Sequence, residues 1–224
     1  MIFSVMTLFP EYVDTICSES IIGRARESGF ITVLPVNMRD YSKDRHRRVD
    51  DTPYGGGKGM LIAAPVVCDC HADVLRKLKG TVRTVYMSPQ GSLFTQKTAA
   101  RLAGYDNIIV VCGHYEGIDA RAIDMIADEE ISMGDYVVTG GELPACLLID
   151  AVSRLCPGVL SDKECYENES FSSGLLEYPQ YTRPRTFEGV SVPQVLLDGN
   201  HEDIEKWRRR EALRITADKR PDLL

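Results

Sequence analysis

No run of apolar residues in this chain approaches the roughly 20 that a membrane-spanning helix requires. The opening segment, Met1 to Asp14, lacks the basic stretch and long apolar core of a secretory signal, so a cytoplasmic location is expected. C-x-x-C pairs are also missing: the seven cysteines are odd in number, lie mostly in apolar segments, and read as reduced thiols. His46, His71, His114 and His201 stand far apart with no cysteine cluster nearby, so a structural zinc site is not expected. Positive charge is not in excess. A formal net charge of −7 argues against attraction of the whole molecule to nucleic acid, but local basic patches remain free to act. Internal repeats and low-complexity tracts are absent. What is there, 44% hydrophobic and 26% charged residues over 224 positions, indicates a globular chain of one or two domains.

Over the first 160 residues β-rich and helical runs alternate. Strands are predicted near 2–8, 31–36, 81–87 and 107–112, and helices near 12–28, 64–79 and 118–128, which indicates an α/β unit with a largely parallel sheet. The run Asn107 to Cys112 is almost continuously apolar and β-branched, as a strand buried on both faces should be, and Gly113 ends it. A last helix, Leu143 to Leu155, is apolar on most sides and stops before Pro157-Gly158, so it should pack against a large surface, another subunit being one candidate. Residues 161–173 are polar and acidic without an apolar period, marking a linker. The expected organisation is a domain over 1–160, a flexible linker over 161–175 and a small, mainly helical unit over 176–224. The long helix of that last unit should be capped by Asn200, with Asp203 three residues on.

The densest motif runs from Asp44 to Met60. Four glycines at 55, 56, 57 and 59 permit positive φ and close backbone approach, and Arg45, Arg47 and Arg48 upstream supply phosphate donors. Taken alone it fits a tight surface turn as well as a phosphate contact, and it is neither a Walker A loop nor G-x-G-x-x-G. Three more glycine-bearing segments follow predicted strands: Met87 to Gly91, Val111 to Asp119, and Ser132 to Pro144. Loops beyond the carboxyl ends of parallel strands are where such sheets bind ligands, and together these favour a nucleoside-type ligand. Arg154, late in an apolar helix, needs either a partner, a phosphate or the helix dipole. Glu167 and Glu169 stand in the acidic linker. Trp207 with Arg208, Arg209 and Arg210 suits either an RNA contact or a core anchor beside solvated charge.

PYGGGKGM, SPQG, VCGHYEGID, GDYV-x-TGGELPA, DAVSR-x-x-PGVL and the terminal H-x-x-I-x-x-W-R, in this order, resemble the bacterial tRNA (guanine-N1)-methyltransferase family from Met1 to the last residues. The resemblance implies the SPOUT fold, an α/β methyltransferase domain with a trefoil knot, and a homodimer. It also implies methyl transfer from S-adenosyl-L-methionine to N1 of the guanine immediately 3′ of a tRNA anticodon. By the same analogy Ser88, Pro89, Gly113, Glu116, Met133, Gly134, Asp135, Tyr136, Val137, Val138, Gly140 and Gly141 form the cofactor pocket, mostly through backbone groups. Arg154 and Glu169 take the catalytic positions. Two positions depart from the family pattern: Glu169 stands where aspartate is usual, and His114 replaces a common arginine.

These residue types suit the implied chemistry. N1 of guanine carries a proton at neutral pH that a carboxylate must remove, and negative charge develops on O6, where a cation or donor is needed. Glu169 and Arg154 fit those roles. Neither a membrane nor a protein partner other than a second copy is implied, and the sequence leaves the part played by Mg²⁺ open. Two other readings stand beside this one: another RNA methyltransferase of the same superfamily, acting on a ribose 2′-oxygen or an rRNA base, and a non-catalytic RNA-binding protein.

Overall fold

The computed structural model describes residues 1–162, 166 and 169–224. The chain divides into two compact units, Met1–Ser161 and Asp162–Leu224.

The first unit is built on five parallel strands: β1 (Ile2–Thr7), β2 (Thr32–Asn37), β5 (Val82–Leu93), β6 (Asn107–Cys112) and β7 (Glu129–Ser132), in the order β2-β1-β6-β5-β7. β6 is the central strand and all of its residues are buried, which is why it reads as a continuous apolar run. Helices cover both faces. α1 (Pro10–Cys17), α2 (Ser20–Glu27), α4 (Gln96–Leu102) and α6 (Glu142–Ser153) lie on one side, over Phe3, Val5, Ile108, Val110 and Cys112. α3 (Ala64–Lys77) and α5 (Ala120–Ile126) lie on the other, over Met6, Ile109 and Val111. The alternation of Ile108 and Val110 against Ile109 and Val111 between the two cores is the period-2 pleat of the strand.

Several boundaries differ from those expected. The helix predicted over 12–28 is two helices, because the chain folds back at Ser18 and Ser20 takes a φ of 55°. Gly23 makes that reversal possible: a Cβ there would run into the Ser18 carbonyl. The strand expected to stop at residue 87 continues to Leu93 through an irregularity between Met87 and Ser92. A short ribbon, β3 (Asp50–Asp51) with β4 (Leu61–Ile62), closes the glycine-rich segment. α4 was not expected, and the strand implied before Ser132, which was given no bounds, is β7. β7 hides its character because Glu129 is held by two guanidiniums from elsewhere, Arg83 (2.8 Å) and Arg101 (2.6 Å). Burial pushes the Glu129 carboxyl up, but these two partners outweigh it and hold it below its ordinary range.

The second unit contains a small hairpin, β8 (Thr186–Phe187) with β9 (Val190–Ser191), and one long helix, α7 (His201–Lys219). Asn200 caps α7 as expected: its side chain accepts from the Glu202 N–H at 3.2 Å and donates to Asp203 at 2.6 Å. Trp207 is buried, with its ring centroid 6.3 Å from that of Tyr181, so of its two readings the core anchor is the observed one. Arg208 lies over the Tyr178 ring and pairs with Glu205 at 2.6 Å.

Candidate active site

The order β6-β5-β7 sets the carboxyl ends of three strands side by side, and the loops leaving them enclose a cavity of about 500 Å³. Its size is that of a site for a nucleoside-sized molecule. From β5 come Ser88 and Pro89, in the irregular stretch where the Ser88 hydroxyl accepts from the Gln90 N–H at 3.1 Å. From the turn after β6 come Gly113 and Glu116. From the segment after β7 come Met133, Gly134, Tyr136, Val137, Val138, Gly140 and Gly141. Asp135 is exposed in the same segment and is outside the lining.

Glycine is required here for steric reasons. Gly141 donates to the Gly113 carbonyl at 2.8 Å, and a Cβ on Gly141 would lie 2.8 Å from the Cys112 Cα. His114 and Gly140 form a backbone bridge that ties the second loop to the third. At Gly134, with φ 147°, the Ser132 hydroxyl accepts from the glycine N–H at 3.2 Å and donates to its carbonyl at 3.0 Å. The walls therefore present backbone N–H and C=O groups between apolar side chains such as Ile118, Ile131 and Val138. Three carboxylates, Glu116, Asp124 and Glu130, also face this space. Sequence reasoning missed Asp124 and Glu130, which sit on α5 and β7 and carry no motif; for Glu130 it is the placement of β7 beside β5 that brings it to the cavity.

Behind His114 lies a buried polar pair. Glu142, in the first turn of α6, accepts from the Thr7 hydroxyl at 2.7 Å, a position favoured by the helix N-terminus. Its other oxygen is 3.7 Å from His114 Nδ1.

Arg154 is not in this cavity. It is the residue just past α6, and it lines a separate hollow of about 210 Å³ with Glu19, Ser20, Asp150 and the two thiols Cys17 and Cys146. The 12 residues of α6 separate it from Gly141, about 18 Å of helix at 1.5 Å per residue. Glu169 belongs to the second unit, in a turn where its carbonyl accepts from the Ser172 N–H at 3.2 Å. Glu167 lies outside the described residues. Among the described residues no group of three or more His, Cys, Asp or Glu is arranged to hold a metal ion, and no helix is long and apolar enough to cross a membrane.

Residues 1–224, the whole chain, match the family described as tRNA (Guanine-1)-methyltransferase TrmD. The chain belongs to this family. Its fold is accordingly the SPOUT type of α/β methyltransferase, and family members are enzymes. Among its relatives, a tRNA (guanine-N(1)-)-methyltransferase of Ruminiclostridium cellulolyticum is 54% identical over 223 residues, spanning 100% of this chain and 96% of the relative. Proteins of the same name from Lachnospira eligens (53% identical, 100% of this chain and 94% of the relative covered) and Clostridioides difficile (50%, 100% and 97%) are also similar to it.

Proposed function

We infer that this chain transfers a methyl group from S-adenosyl-L-methionine to N1 of the guanine immediately 3′ of a tRNA anticodon, and that it works as a homodimer in the cytoplasm. The reading rests on the cavity at the carboxyl edge of β5, β6 and β7, in a chain belonging to a tRNA (guanine-1)-methyltransferase family. The cavity suits the cofactor. Its volume accommodates a nucleoside, its glycines admit close backbone approach, and Glu116, Asp124 and Glu130 suit a ligand carrying a sulfonium and an ammonium. Ser88, Pro89, Gly113, Glu116, Met133, Gly134, Tyr136, Val137, Val138, Gly140 and Gly141 would hold it. Asp135, exposed, enters only through its backbone.

S-adenosyl-L-methionine, when bound, supplies a methyl group on a sulfonium with a good leaving group. The chain's own residues prepare the acceptor. The Glu169 carboxylate takes the N1 proton, leaving the ring nitrogen's electron pair available, and the Arg154 guanidinium faces the negative charge that develops on O6. With about 18 Å of α6 between Gly141 and Arg154, the cavity of one protomer is served by Arg154 of the other. Leu143 and Leu147, 48% and 54% exposed on one stripe of α6, supply apolar surface for that pairing. Phe9, Tyr12 and Ile16 form a second exposed stripe beginning just before α1, which packs on α6.

The test is to incubate the protein with unmodified tRNA and labelled cofactor and map the methylated nucleoside. N1-methylguanosine 3′ of the anticodon is expected. A ribose 2′-O-methyl group, or methylation of rRNA alone, would assign another activity of the superfamily. Failure to bind the cofactor in calorimetry would leave an RNA-binding protein.

A further inference from the structure

The glycine-rich segment between β3 and β4 is anchored at one end and open at the other. At its β4 end, Met60 accepts from the Glu116 N–H at 3.0 Å, Ile62 donates to the Gly117 carbonyl at 3.0 Å, and Asp119 donates to Ile62 at 3.0 Å. Gly59, with φ 94°, lies so close to the Glu116 side chain that a Cβ would collide with it. The loop is thus fastened to the cavity wall at a residue that lines the cavity. Its tip is the reverse. Gly55 and Gly56, at φ 85° and 79°, have nothing within 4 Å of where a Cβ would stand. Beside them Tyr54 is 98% exposed, more than any other large apolar or aromatic side chain described.

The ring is therefore open to a ligand, at the tip of a loop whose other end is fastened to the cavity wall. Tyr54 and Gly59 are five positions apart, so the Tyr54 backbone stays within about 17 Å of Gly59, which is seated against Glu116, by the reach of an extended chain. The charges flanking the tip are Lys58 on one side and Asp50 and Asp51 on the other, with Arg45, Arg47 and Arg48 upstream. A flat aromatic face beside cationic side chains, on a pivot at the mouth of a ligand cavity, is what an unstacked nucleobase requires.

We propose that Tyr54 is a substrate-binding residue that stacks on the target guanine and holds it over the cofactor cavity. This rests on the reading of the chain as an RNA base methyltransferase. Because Tyr54 is almost wholly exposed, its variants should fold.

The experiment compares wild type, Tyr54→Phe and Tyr54→Ala on unmodified tRNA, and on tRNA carrying 2-aminopurine at the target position. In Tyr54→Ala the KM for tRNA should rise about 5- to 150-fold, the range base–aromatic stacking spans. Calorimetric cofactor affinity should be unchanged, and the 2-aminopurine in the complex should be several-fold brighter than with wild type because its quenching partner is gone. Tyr54→Phe should match wild type in both. Equal fluorescence in all three complexes, or a KM for Tyr54→Ala within twofold of wild type, overturns the proposal. If wild type transfers no methyl group to the unsubstituted tRNA, the enzymatic reading fails on its own account, and the fluorescence comparison still decides whether the ring stacks on a base.

Discussion

Glu169 carries one more methylene than the aspartate usual at its position in the resembling family, so in the proposed role of general base its carboxylate has to be set back by the backbone to reach N1. Glu169→Gln keeps the shape and removes the basicity. Single-turnover methyl transfer should fall by roughly two to four orders of magnitude, with cofactor affinity nearly unchanged, the loss typical of a missing general base. Glu169→Asp should retain far more activity, and near-wild-type transfer by the Gln variant would assign proton removal elsewhere. A second residue bears on stability instead. Asp73, on α3, receives hydrogen bonds from Lys77 (2.5 Å) and from the Tyr41 hydroxyl (2.7 Å), and these hold its carboxyl down at about 2. A carboxyl depressed in the folded state stabilises above its unfolded pKa, near 3.9, and loses that contribution as pH falls toward its folded value. Asp73→Asn should therefore unfold at lower denaturant than wild type at pH 6, with the gap narrowing below about pH 4. A gap that widens on acidification would contradict the assignment. Neither Asp73 nor Tyr41 stood out in the sequence, because their meeting joins α3 to a turn 32 residues away.

β5 and the glycine within it set the cavity at the scale of the element. The sequence Ser88-Pro89-Gln90-Gly91 reads as a turn ending a strand, yet the strand goes on to Leu93 and resumes pairing with β7 at Ser92. Gly91 is the reason: a Cβ there would enter the backbone between Glu130 and Ile131. Because main chain, unlike a flexible side chain, cannot swing aside, Gly91→Ala should cost about 1–3 kcal/mol, the usual range for overpacking. It should lower the melting temperature by several degrees and weaken cofactor binding together, since Ser88 and Pro89 lie in the same stretch. An Ala variant with both properties intact would show that β5 and β7 can part without consequence. The contrast with β6 and α7 explains what could be read in advance. A strand buried on both faces states its burial in six consecutive residues, and an asparagine cap acts on its own helix. The end of β5, the acidic β7 and the break at Ser18 depend on contacts from distant segments, which a local pattern does not carry.

For the whole molecule, the separation of the two candidate functions along α6 has a consequence for assembly. The glycine cradle is at the N-terminal end of the helix and Arg154 just past its C-terminal end, and a rigid helix cannot bring them together within one chain. A two-fold dimer can, because in an isologous pairing each chain offers its cavity to one shared site and its Arg154 to the other. The loops were legible in the sequence as ligand-binding turns, and Arg154 as a guanidinium needing a partner; their distance was not, since it emerges only when both are placed on one helix. The arrangement can be tested by complementation. Gly141→Val drives a side chain toward the Cys112 backbone and should abolish cofactor binding, and Arg154→Ala removes the cation. Homodimers of either variant should be inactive. A heterodimer of the two, coexpressed with different tags and purified through both, contains one site with an intact cavity from the Arg154→Ala chain and an intact arginine from the other. It should show about half the wild-type rate per dimer, since one of its two sites is whole. If cavity and arginine acted within one chain, both sites of the heterodimer would be defective and no activity would return. Leu147→Glu supplies the companion measurement: a carboxylate on the exposed stripe of α6 should leave a monomer in light scattering that still binds the cofactor weakly and transfers no methyl group.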